Sequence, residues 1–145
     1  METQQARKKI QIINGPNINL IGTREPDIYG TVSFEEYLKG LHACFPDVQL
    51  DTYQSNIEGE LVTAIQKAGY THDGIVLNAA AYTHTSVAIR DAIQAVPAPV
   101  IEVHLSNIAA REPFRQTSLI GAVCQGTIAG FGLYVYQLAI QALLR

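Results

Sequence analysis

The stretch Pro99-Val-Ile-Glu-Val-His-Leu-Ser-Asn107 restricts the fold more than any other. Val100, Ile101, Val103 and Leu105 are what a strand covered on both faces contains, and such strands belong to parallel sheets sheathed by helices. Glu102, His104 and Ser106 alternate along it at period two, so all three project to one face. A carboxylate in a covered sheet is costly unless it is paired. His104, two residues on, is a ready partner, and a carboxylate so placed can fix the tautomer and orientation of an imidazole. On this stretch alone two readings stand level: a functional dyad, and a buried pair that satisfies only itself.

The rest of the chain supplies the sheet and its covering helices. Residues 9–13 read as a first strand, ended by the turn signal Asn14-Gly-Pro-Asn17. Residues 17–31 form a long loop, and long loops in compact domains usually carry function. Its Gly22 and Gly30 suggest a mobile lid over residues 20–31. Ser33 with Glu36 three residues on is a capping box; Phe34, Tyr37, Leu38, Leu41 and Phe45 give that helix its apolar face, and Pro46 stops it. A second strand spans 48–53. A second helix spans 58–68, with Gly69 as its C-terminal stop. A short apolar strand at 74–78, a loop, and a third helix from about Ser86 to Ala95 precede the fourth strand, the opening stretch at 99–107. Residues 107–117 form a second polar loop, 122–128 read as a fifth strand, and 131–144 as a long final helix apolar nearly all round, largely buried, with another subunit as one candidate to cover it. Residues 1–8 read as a flexible N-terminus.

Strands alternating with helices specify one α/β domain over 1–145, a flavodoxin-like three-layer sandwich. Its five-stranded parallel sheet would run in the order 2-1-3-4-5 with helices on both faces. Ligands bind outside the strands' C-terminal ends where the order reverses, here between strands one and three. The loops at 17–31, 78–84 and 104–115 would share that crevice, and they are the segments dense in polar residues.

Several function classes are excluded on composition. The 145 residues are 48% hydrophobic and 16% charged, with net charge −3, which fits a globular chain. No basic stripe exists for nucleic acid. No apolar run approaches the roughly 20 residues of a membrane span, and residues 1–9 lack the apolar core of a signal peptide. A soluble cytoplasmic protein is the expectation. Cys44 and Cys124 have no metal-ligand spacing and sit in apolar contexts, so two buried free thiols are expected. His42 and His72 look like surface residues, and no cluster suits a metal. A Walker loop, a complete Gly-x-Gly-x-x-Gly and a Gly-x-Ser-x-Gly elbow are all missing.

In the crevice loops, Arg24 and Tyr29 stand five apart. A phenol ionises near 10. To act as a base at neutral pH it needs a shift of roughly 3 units, about 4 kcal/mol, whereas one nearby cation supplies about 1–3 units. Two arginines suffice, and Arg111 or Arg115 is the second candidate. Taken as an isolated pair, a packed tyrosine beside a solvated arginine is the simpler reading. Asn78 reads as a ligand contact or a turn former, and His84 as a ligand contact or a cap. The helix N-terminus that follows them could receive an anion or a hydroxyl.

Four motifs in order now become recognisable: Ile-Asn-Gly-Pro-Asn-Ile-Asn-Leu-Ile-Gly (13–22), Arg-Glu-Pro-Asp-Ile-Tyr-Gly (24–30), Thr-His-Thr-Ser-Val-Ala-Ile-Arg-Asp-Ala (83–92) and Glu-Val-His-Leu-Ser-Asn (102–107). Over nearly its whole length the chain resembles type II 3-dehydroquinate dehydratase, a shikimate-pathway enzyme. The resemblance implies anti dehydration of 3-dehydroquinate to 3-dehydroshikimate through an enolate, without metal or cofactor. It implies Tyr29 as general base, Arg24 and Arg111 as the cations that lower its pKa, His104 as general acid oriented by Glu102, and Asn17 as holder of a water at the enolate oxygen. Asn78, His84 and Arg115 match positions that grip substrate hydroxyls, and the backbone of Leu105 and Ser106 matches a carboxylate site. Asp91 matches a residue lent by a neighbouring subunit in a dodecamer, a tetramer of trimers. Three departures stand out: Ala79-Ala80-Ala81 where Gly or Pro is frequent, Ala109 in place of His or Tyr, and Pro113 in place of Glu. Two other readings remain: a different lyase or isomerase that forms an enolate, and a flavodoxin-like module that binds a ligand without turnover.

Overall fold

The computed structural model describes residues 7–23, 27 and 30–145. Five strands form one sheet, β1 (Lys8–Asn14), β2 (Val48–Gln54), β3 (Gly74–Asn78), β4 (Val100–His104) and β5 (Gly126–Ala129). They pair in the order β2-β1-β3-β4-β5, and every pairing is parallel. This is the predicted flavodoxin-like α/β topology, with the reversal between β1 and β3. The first strand starts at Lys8, the last residue of the segment read as an N-terminal tail.

Among the described residues the α-helices that cover the sheet are α1 (Phe34–Cys44), α2 (Glu58–Thr71), α3 (Val87–Ala95) and α4 (Tyr134–Leu143). Side chains alternate across each strand, and the alternation divides the core in two. On one face Ile10, Ile12, Val76, Ile101 and Val103 pack with Leu41 of α1 and Val135, Tyr136, Ala139 and Ile140 of α4. On the other face Ile13, Ile75, Leu77 and Val100 pack with Leu61 and Ile65 of α2 and Ile89 and Ile93 of α3. β3 and β4 are buried along their whole length, as their nearly continuous apolar sequence requires.

The helix starts follow their caps. Ser33 Oγ accepts from Glu36 N at 3.2 Å, and Ser86 Oγ accepts from Ile89 N at 2.9 Å, each satisfying an amide the helix cannot.

Five local expectations are corrected. Gly69 does not stop α2, which runs on to Thr71. A Cβ at Gly69 would lie 2.2 Å from Val96 Cβ, so this glycine lets the helix approach the segment after α3. The fifth strand starts later than expected: Gly121–Val123 is a 3-10 turn and the strand runs Gly126–Ala129. The last helix is shorter, beginning at Tyr134, and Phe131 and Tyr134 are exposed. Both cysteines are free, as expected, but Cys44 is exposed and Cys124 half-buried; burial, then the charge of Glu102, pushes the Cys124 thiol up to about 12. His72 is not a solvated surface residue: its Nε2 lies 2.7 Å from Asp51 Oδ2, a hydrogen bond that holds the Asp51 carboxyl below its ordinary value.

Candidate active site

One cavity opens beyond the C-terminal ends of β1, β3 and β4, about 720 Å³ including its mouth. It is lined from the first loop by Asn17, Ile18 and Ile21, from the second by Asn78, Ala80 and His84, and from the third by His104, Leu105, Ser106, Arg111 and Arg115. Three polar loops far apart in sequence thus meet at the sheet's reversal, as the topology requires. The first two turns touch directly: Gly15 N donates to Asn78 O at 2.7 Å. A Cβ on Gly15 would sit 2.7 Å from Ala79 O, so the crossing needs a glycine.

Glu102 and His104 leave β4 on one face, and His104 Nε2 pairs with Glu102 Oε2. Glu102 is wholly buried. Its other oxygen, Oε1, accepts from Ser118 Oγ at 3.1 Å and from Thr127 Oγ1 at 3.2 Å. Burial alone would raise this carboxyl's pKa. The hydrogen bonds from His104, Ser118 and Thr127 outweigh it and hold the group below its ordinary 4.5. An ionised carboxylate only accepts, so Nε2 carries the shared proton and Nδ1 is left as the working nitrogen of His104. The Ser118 hydroxyl is itself oriented, because it accepts from the amides of Ile120 and Gly121 at 3.3 and 3.0 Å.

His84 lies beside this dyad, its ring stacked on that of His104 with centroids 6.3 Å apart. Its Nδ1 sits 2.8 Å from Thr117 O. A carbonyl can only accept, so Nδ1 is protonated and Nε2 remains for a ligand. His84 therefore does not cap α3; Ser86 does, and no residue of the first turn of α3 lines the cavity.

Arg111 and Arg115 do not share an α-helix: Arg111 follows the 3-10 turn Ile108–Ala110, and Arg115 ends the 3-10 turn Pro113–Arg115. Arg111 Nη1 donates to Ser106 Oγ at 3.3 Å. Glu112 lies against both guanidiniums, 2.8 Å from Arg115 Nε and 3.6 Å from Arg111 Nε. The Arg115 hydrogen bond first, and the charges of both arginines, lower its carboxyl pKa. Pro113 opens the second turn, where its fixed φ fits and no amide is needed. Ala109 is exposed.

The first-loop residue Asn17 adopts φ 69°, a conformation asparagine tolerates, and its amide donates to Asn56 Oδ1 at 3.0 Å. Asn78 is buried; its amide oxygen accepts from Ala80 N at 3.2 Å and its nitrogen donates to Tyr136 Oη at 3.1 Å. It is thus both a turn former and a cavity residue. Ala80 stands at φ 53°, where an alanine is strained and glycine is not. Asp91 is exposed on α3 and is not among the cavity residues. Arg24 and Tyr29, with residues 25, 26 and 28 of the proposed lid, lie outside the described residues.

The sequence reading missed Ser118, Thr127, Glu112, Asn14 and Tyr136. Only Tyr136 left a trace, a hydroxyl on an otherwise apolar helix face that must find a buried partner. Among the described residues no group of histidines, cysteines and carboxylates could hold a metal ion.

The model of the family described as "Dehydroquinase class II" matches residues 8–144. The chain belongs to this family. It is 55% identical over 139 residues to a 3-dehydroquinate dehydratase of Campylobacter jejuni, covering 94% of this chain and 87% of that one. It is 54% identical over 137 residues to a 3-dehydroquinate dehydratase of Exiguobacterium sp., covering 94% of each. Among solved structures, the type II dehydroquinase of Butyrivibrio crossotus superposes with a TM-score of 0.93 at 43% identity, over 96% of this chain and 99% of that one. The cavity described above therefore sits in a class II dehydroquinase fold, where the strand order of the sheet reverses.

Proposed function

We propose that this chain dehydrates 3-dehydroquinate to 3-dehydroshikimate by an anti elimination in which Tyr29 removes the proton and His104 supplies one to the leaving hydroxyl. Family membership makes the chain a 3-dehydroquinate dehydratase, a hydro-lyase of the shikimate pathway; the division of labour among residues is our reading. Tyr29, as the phenolate that Arg24 and Arg111 would favour, takes a proton from the carbon next to the ketone. The electron pair moves to the ketone oxygen, giving an enolate, and Asn17 helps hold a water there. The enolate collapses, the carbon–hydroxyl bond breaks, and the hydroxyl leaves as water with the proton from His104 Nδ1. Ionised Glu102 fixes the tautomer and orientation of the imidazole for this step. Asn78, His84 and Arg115 hold substrate hydroxyls, and the backbone at Leu105 and Ser106 receives the carboxylate.

The observation that carries this reading is the dyad itself. A buried glutamate with every oxygen engaged presents one histidine nitrogen to a cavity that two arginines also line. The reading extends to assembly and place: a dodecamer of four trimers, with Asp91 reaching a neighbour's cavity from its exposed position on α3, working in the cytoplasm. Among the described residues no helix is long and apolar enough to cross a membrane.

The test is an absorbance assay for the conjugated enone, using purified protein and 3-dehydroquinate with and without EDTA. A rise in absorbance that EDTA leaves unchanged is expected. Saturable binding of the substrate with no enone formed would support a binding module instead.

A further inference from the structure

Tyr136 lies on α4, outside the cavity lining, and is wholly buried. Its ring packs against Phe34 of α1 with centroids 5.0 Å apart and planes tilted by 58°, so two helices fix where its hydroxyl points. That hydroxyl reaches the C-terminal ends of β1 and β3, the two strands that flank the sheet's reversal. It donates to Asn14 Oδ1 at 2.6 Å and accepts from Asn78 Nδ2 at 3.1 Å.

The direction of each bond is forced. A phenol has one proton, and an amide oxygen can only accept, so the proton is committed to Asn14. Burial first, and the neighbouring Tyr37 phenol, push the ionisation of Tyr136 far above its ordinary 10.0. The hydroxyl thus stays neutral, and its lone pair is all that remains for Asn78. At the far end of the same amide, Ala80 N–H can only donate, so it selects the Asn78 oxygen. The amide therefore has a single permitted orientation. One of its two N–H hydrogens goes to Tyr136, and the other has no acceptor among the described residues. Asn78 lines the cavity, so that hydrogen is left for a ligand oxygen.

We propose that Tyr136 is a positioning residue for substrate binding: held by Asn14 and Phe34, it locks the Asn78 amide so that its remaining N–H meets a hydroxyl or carbonyl oxygen of the substrate. The inference rests on the dehydratase reading. It adds a dependence of substrate affinity on a side chain that never touches the substrate.

The experiment compares steady-state kinetics and thermal unfolding of wild type, Tyr136→Phe, Asn14→Ala and Asn78→Ala with 3-dehydroquinate, below the unfolding temperature of each. Tyr136→Phe keeps the ring and removes only the hydroxyl. Asn14→Ala changes neither the cavity lining nor Asn78, but frees the phenol proton to compete for the Asn78 oxygen. Each is expected to raise KM about tenfold, one hydrogen bond's worth, with kcat within about threefold of wild type, the pattern of lost uniform binding. The double variant Tyr136→Phe/Asn78→Ala is expected to show the KM of Asn78→Ala alone, because the effect passes through that amide. A KM within twofold of wild type in folded Tyr136→Phe, or in Asn14→Ala should the first not fold, overturns the proposal. So does failure of both to fold, which makes the contact structural only. Absence of turnover in the wild type would instead overturn the dehydratase reading.

Discussion

Glu102 shows how a single buried charge is made tolerable and then useful. Its oxygens meet a histidine and two hydroxyls, so ionisation is favoured even with no exposed surface. The folded pKa lies below the ordinary 4.5. The group's contribution to stability is therefore complete above that value and is lost as pH falls through the folded pKa. Glu102→Gln has nothing to titrate there. Urea midpoints at pH 7 and pH 3 should show a smaller acid-induced drop in Glu102→Gln than in wild type, and equal drops would contradict this. Activity at neutral pH should fall about tenfold or more in the same variant, because an amide can donate or accept and so no longer fixes the imidazole tautomer. Ala80 is a residue-scale cost of the opposite kind. The left-handed region costs an alanine roughly 1–2 kcal/mol, and glycine's extra chain entropy offsets about 0.5–1 kcal/mol of any relief. Ala80→Gly should raise Tm by about 1–4 °C, checked by calorimetry; a lower Tm would mean the strain is absent.

Individual elements differ in how far their sequence reveals them. β3 is legible to the residue, a short apolar run that ends at Asn78, whereas β4, Val100–His104, is legible by its alternation only within the longer stretch 99–107. α1 and α3 are legible from Ser33 and Ser86, whose hydroxyls satisfy specific amides. The limits appear where a residue's local preference yields to a distant partner. Gly69 looks like a helix terminus, yet it serves contact with Val96, which no local pattern encodes. Gly121–Val123 and Gly126–Ala129 have similar small apolar composition, and only pairing with β4 separates turn from strand. The same holds at the site. His104 and Glu102 announce each other by spacing, whereas Ser118 and Thr127 reach Glu102 from later in the chain with no periodic signal. Gly69→Ala tests the element-scale packing. Its Cβ would crowd Val96, at a cost of about 1–3 kcal/mol against a helix-propensity gain of about 0.5–1 kcal/mol. Denaturant titration should find the variant less stable, and a gain in stability would show that Val96 yields freely.

At the scale of the molecule, the order β2-β1-β3-β4-β5 places the ends of β1, β3 and β4 side by side. Groups separated by up to about a hundred residues of chain thereby share one cavity. The proposed assembly belongs to this scale. Light scattering should find twelve 15.8 kDa chains, and Asp91→Ala should raise KM several-fold although its own cavity is intact; an active monomer with unchanged KM would contradict both statements. The proposed chemistry pairs Tyr29 as base with His104 as acid. Tyr29→Phe should lower turnover at least about 100-fold with the fold retained. The most direct test is the rate of enone formation by His104→Ala at saturating 3-dehydroquinate, alongside its circular dichroism. The account predicts turnover at least about 100-fold below wild type with an unchanged spectrum, whereas a folded variant turning over within threefold of wild type would contradict it.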